Sequence, residues 1–107
     1  MKAKTIQIDF TGLTKQDFHQ KLKEALGFPN FYGMNWDAMI DCLSYMRDPS
    51  AGMSEVTLAE DEMLVIDCKN ITQACFDLKT FLEVIQACNA RELNACGKTQ
   101  ILLNILP

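Results

Sequence analysis

The sequence predicts an α/β fold: a three-stranded parallel sheet packed with helices, in the order β-α-α-β-α(α)-β. Three observations carry that prediction. Residues 4–10 alternate, with Ile6, Ile8 and Phe10 on one side and Thr5, Gln7 and Asp9 on the other. Residues 63–68 form a short apolar run, the pattern of a strand covered on both faces. Segments of helical period separate these strands from each other and from a last apolar run at 100–106. Strands joined by helical crossovers run parallel with right-handed connections.

The chain of 107 residues, 49% hydrophobic and 22% charged, fits one folded domain spanning 1–107. The alternating first strand belongs at a sheet edge. Thr11-Gly12 breaks it, and Thr14 caps a helix over 15–26 whose buried stripe is Phe18, Leu22, Ala25 and Leu26. Asp17 in the first turn suits the positive end of the helix dipole. Gly27 takes the left-handed position past the helix end, and Pro29 keeps the helix from resuming.

Asn35 caps a second helix reaching to about Arg47. At about 100° per residue, Trp36, Met39, Ile40, Leu43 and Met46 share one arc. Asp37, Ala38, Asp41, Ser44 and Tyr45 share the opposite, solvent-facing one. Residues 48–62 are irregular, acidic and without any basic residue, either functional or partly structured around Met53, Val56 and Leu58. The apolar run at 63–68 is the choice for the central strand. Asn70 or Thr72 starts the next helical region, which reads equally as one helix or as two broken near Asp77, and Gly97 closes it ahead of the last strand.

Composition narrows the function. A formal charge of -4 argues against a general nucleic-acid binder and favours a cationic partner. The basic start, Met1-Lys2-Ala3-Lys4-Thr5, is followed by no apolar run of signal or membrane length, so a cytoplasmic protein without membrane contact is expected. Five cysteines without a C-x-x-C pair or metal-like spacing read as reduced, mostly buried thiols. His19, the one histidine, lies among Lys15, Gln20 and Lys23 and reads as an ordinary surface histidine on the first helix. No nucleophile-base pair and no phosphate loop is visible, so no catalytic residue and no cofactor are assigned. A metal held by Asp37, Asp41, Glu55 or Glu60 lacks the alternating spacing of a calcium loop, and no metal is expected.

What remains is the stretch around the second helix. Asp37 and Asp41 stand one turn apart on one face, with no basic residue within a turn of either. The dipole favours Asp37 in the first turn, but Asp41 lies past it. Like charges at that spacing cost an isolated helix roughly 0.2–0.5 kcal/mol. Such a pair beside the aromatic residues Phe31 and Tyr32 calls for a basic protein partner. Two other classes stay open: a binding module for an unrelated basic partner, and a small enzyme using surface carboxylates.

The run Pro29-Asn30-Phe31-Tyr32-Gly33-Met34-Asn35-Trp36-Asp37-Ala38-Met39-Ile40-Asp41-Cys42-Leu43 resembles the signature of the barstar family, intracellular inhibitors of the ribonuclease barnase. That resemblance implies a barstar-like domain and a noncatalytic inhibitor, monomeric until complexed, that blocks a secreted ribonuclease or a nuclease toxin used between bacteria, an antitoxin or immunity role. It implies Asp41 as the main anion among the nuclease's phosphate-binding cations, with Asp37 beside it. Phe31 and Tyr32 match the family's aromatic contact pair, Gly33 and Asn35 shape the loop and helix start, and Ala38 and Ile40 complete the partner-facing set. The chain departs from the family at three positions. Phe31 stands for a tyrosine, Ile40 for a tryptophan, and Ala87 falls where barstar places a glutamate contact.

Overall fold

The structure, a computed structural model, describes residues 2–107. Strand β1 (Lys2–Asp9) leads into helix α1 (Lys15–Leu26), then α2 (Trp36–Ser44), β2 (Glu62–Lys69), α3 (Leu78–Cys96) and β3 (Ile101–Ile105). The sheet is parallel in the order β1-β2-β3, with β2 in the centre. Its register aligns Ile6 with Ile66 and Leu103, and Ile8 with Cys68 and Ile105. The predicted fold class and central strand both hold.

One expectation needs correcting: β2 is covered on one face only. Leu64, Ile66 and Cys68 are fully buried, whereas Met63, Val65 and Asp67 alternate with them at intermediate exposure. The order β1-β2-β3 steps twice in the same direction, so two right-handed crossovers place every helix on the same side. The other side stays open, and there Thr5, Val65 and Leu102 form one row while Asn104 donates to Asp67 at 2.9 Å. Strand β3 is an edge, and residues 99–107 include no charged side chain.

Helix boundaries follow their caps. Thr14 and Asp17 form a reciprocal capping box, and Gly27 ends α1 at φ 69° with its N–H on the Lys23 carbonyl. The segment 48–62 then closes that helix end. The N–H groups of Glu55 and Val56 reach the Leu26 carbonyl at 3.0 and 3.1 Å, and the Ser54 hydroxyl reaches it at 2.8 Å. A Cβ on Gly27 would stand 2.5 Å from the Glu55 Cβ, so this latch also requires glycine there. The segment is therefore structured, with Leu58 buried and Met53 and Val56 packed on the core.

Helix α2 ends at Ser44, short of Arg47, because its bonds tighten to the three-residue kind, Tyr45 to Cys42 and Met46 to Leu43. The Met46 carbonyl instead takes the N–H of Leu58 at 2.8 Å. The last helical region is one helix. Residues 71–73 make a single 3₁₀ turn, and Asp77 caps α3 through the Lys79 N–H.

Between sheet and helices lies an aromatic cluster centred on Phe18, whose ring is 5.0 Å from Phe81, 5.2 Å from Phe76 and 5.9 Å from Trp36. Asn89 of α3 accepts from the N–H groups of Gln100 and Ile101 and donates to the Ile101 carbonyl. Gln100 donates to the Leu43 carbonyl, so the start of β3 is tied to both α2 and α3. Cys42, Cys68 and Cys88 are buried, Cys75 and Cys96 are exposed, and all are free thiols.

Candidate protein-binding face

The loop before α2 folds back on itself through the Tyr32 N–H, which donates to the Pro29 carbonyl at 2.9 Å. Of the aromatic pair, only Phe31 projects outward, at 74% exposure. Tyr32 is 5% exposed and turns its hydroxyl inward to His19 Nδ1 at 2.6 Å. Asn35 then does two things. Its Oδ1 accepts from the Ala38 N–H at 2.8 Å as the helix cap, and its Nδ2 donates to the Gly33 carbonyl at 3.2 Å. A Cβ on Gly33 would lie 3.0 Å from that Nδ2, so the close loop-to-cap approach favours glycine.

His19 is the clearest correction to the sequence reading. It is fully buried rather than surface-facing, with its ring 4.7 Å from Trp36 and 5.8 Å from Tyr32. The helix places it beside Phe18 on the flank of the apolar stripe, and the folded-back loop covers it. Its Nε2 has no hydrogen-bond partner, and burial, aided by the Lys15 charge, holds its pKa down at about 4. The one local signal was spacing: Lys15, His19, Leu22 and Leu26 recur at helical intervals, which places His19 on the edge of the buried stripe.

Asp37 and Asp41 are exposed on α2. Among the described residues neither takes part in an ion pair or a side-chain hydrogen bond; the pairs join Lys2 to Asp61, Lys4 to Glu62, Arg47 to Glu92 and Lys98 to Glu60. Three acids of the 48–62 segment are thus partnered, while the α2 pair is left to solvent. Ala38 and Ile40 flank the carboxylates at intermediate exposure.

A depression of ≈ 260 Å³ opens between loop and helix, lined by Phe31, Tyr32, Gly33, Ala38, Asp41 and Cys42, with Met53 from the 48–62 segment. It gathers five of the expected site residues and leaves Asn35, Asp37 and Ile40 outside its lining. Met53 was not singled out for this face from the sequence. A larger hollow of ≈ 550 Å³ lies elsewhere, around Arg47, Leu58, Glu60 and Lys98, and contains none of the expected site residues. Its charges are engaged within the protein: Arg47 Nε lies 2.7 Å from Glu92 without hydrogen-bond alignment, and Lys98 meets Glu60.

The chemistry of the depression is recognition rather than covalent attack. Burial, reinforced by the Asp41 charge, pushes the Cys42 thiol up to about 11, far from a thiolate at neutral pH. His19 is engaged with Tyr32. Among the described residues no group of three or more metal-binding side chains converges, and no helix is long and apolar enough to cross a membrane.

A family model described as Barstar (barnase inhibitor) matches residues 3–103. No curated protein matches the chain. The match runs from the second residue of β1 to the middle of β3 and takes in all three helices, including the loop and the acidic edge of α2. The chain belongs to the barstar family of barnase inhibitors, which are noncatalytic.

Proposed function

We propose that this chain, acting as one barstar-like domain in the cytoplasm and monomeric until complexed, blocks the active site of a barnase-type ribonuclease with the loop 28–35 and the outer edge of α2. The observation that carries the reading is the pair Asp37 and Asp41, exposed and without an internal cation, beside the projecting ring of Phe31. A nuclease holds cationic groups where RNA phosphates bind, and fixed carboxylates can occupy those positions. Asp41 is the principal anion and Asp37 the second. Phe31 is the apolar anchor, Ala38 and Ile40 flank the contact, and Gly33 and Asn35 hold the loop against the helix start. Tyr32 serves as the floor, fixing the loop through His19.

Kinetics with barnase and an RNA substrate test this directly. The expected result is inhibition that rising RNA concentration relieves; inhibition indifferent to RNA concentration would place the contact away from the phosphate site. Charge also sets the approach. The net charge of -4 and the unpartnered acids should make the association rate fall about tenfold or more between low and high salt. A flat rate in stopped-flow measurements would argue against electrostatic steering.

A further inference from the structure

We propose that the segment 48–62 is a specificity element of the inhibitory face and that Met53 is its contact residue. Met53 supplies an apolar wall to the depression at Asp41, which seats one arginine side chain of the nuclease. This rests on the face proposed above and adds a residue to it from outside the loop and α2.

Position comes first. Met53 lines the same depression as Phe31, Ala38 and Asp41, although it belongs to a different part of the chain. It is held there from both sides. Before it, Asp48 caps the short turn Pro49–Ala51 through the Ser50 N–H, and Gly52 ends that turn at φ 65°. After it, Ser54, Glu55 and Val56 are latched onto the Leu26 carbonyl. A backbone so bracketed loses little further freedom on binding, while the side chain it carries keeps its own rotamers.

Chemistry then selects the occupant. At ≈ 260 Å³ the depression is smaller than the roughly 300–1,000 Å³ of small-molecule clefts. It has one charged group, Asp41, and walls that include Phe31, Ala38 and Met53. A long side chain with an aliphatic stem and a cationic tip matches both parts. Arginine fits better than lysine because its planar guanidinium can stack on the exposed Phe31 ring while it pairs with the carboxylate. Met53 meets the stem, and its unbranched thioether adapts to the exact path that stem takes.

The test measures binding of barnase to the full chain and to Asp41→Ala, Met53→Ala, Met53→Leu, Val56→Ala and the double variant of Asp41 and Met53. Val56 packs on the core beneath the same segment and does not line the depression, so it reports any general loosening. Met53→Ala should raise Kd about tenfold, Met53→Leu and Val56→Ala about twofold or less. The double variant should lose several-fold less than the product of the single losses, because both residues hold one side chain. Equal losses for Met53→Ala and Val56→Ala, a Met53→Ala variant within twofold of wild type while Asp41→Ala is weakened, or purely multiplicative losses would each overturn the proposal and leave the inhibitory face standing. If wild type binds and Asp41→Ala binds equally well, the face itself is wrong and this inference falls with it.

Discussion

Replacing Asp41 by alanine is expected to weaken binding to barnase by several kcal/mol, about 3 or more, on the scale of barstar's own complex with barnase. The cost arises in the partner as much as in this chain. Once the carboxylate is gone, cations meant for phosphate are buried in the interface without a counter-charge. Stability should move the other way or not at all. Asp41 makes no internal ion pair or side-chain hydrogen bond among the described residues, and it faces Asp37 one turn away. Removing it relieves a like-charge contact of roughly 0.2–0.5 kcal/mol and places a better helix former on α2. Calorimetric titration and thermal melting of one preparation check both halves. Undiminished affinity would remove Asp41 from the interface, and a large fall in Tm would give it a structural role that its exposure does not suggest.

Acidification should destabilise the fold through His19, in a window set by its two pKa values. In the folded protein burial, with Lys15 adding to it, holds the imidazole at about 4, against 6.5 for an unperturbed histidine. Between those values the unfolded chain binds more protons than the folded one, so stability rises with pH there. The contribution is complete above about 6.5 and is lost as pH falls to about 4, a total on the order of 2–3 kcal/mol. Below that window two carboxylates nearer the surface add their own dependence. Asp9, held down chiefly by the Thr11 hydroxyl, and Asp77, by the Thr80 hydroxyl, both lose those bonds on protonation. Urea denaturation from pH 4.5 to 8 should show the slope in wild type and a flatter one in His19→Gln, which keeps a neutral polar group beside the Tyr32 hydroxyl. Parallel curves would mean that another group carries the dependence.

Much of the architecture was legible locally because local chemistry determines it. Thr14, Asn35 and Gly97 mark helix ends through their own side chain or backbone freedom, and each end falls where its residue predicts. The acidic edge of α2 was legible for the same reason, since helical periodicity alone separates Asp37 and Asp41 from Met39 and Leu43. What was not legible depends on segments distant in sequence. The apolar run in β2 cannot say how many of its faces are covered; the direction of two crossovers decides that. His19 looks solvated beside Lys15 and Gln20 until Tyr32 from the loop and Trp36 from the start of α2 close over it. Met53 joins the depression only because its flanks are latched to the end of α1.

The sheet's two rims are guarded unequally. Strand β1 carries Lys2 and Lys4 along its rim, and charged side chains discourage a neighbouring chain from pairing there. Strand β3 has no such guard, and Leu102 and Ile105 stand half exposed on it. At neutral pH the net charge of -4 keeps copies apart by mutual repulsion. In mild acid that repulsion fades while the His19 contribution is also being lost, so colloidal protection and fold stability decline together and the bare rim becomes the route to self-association.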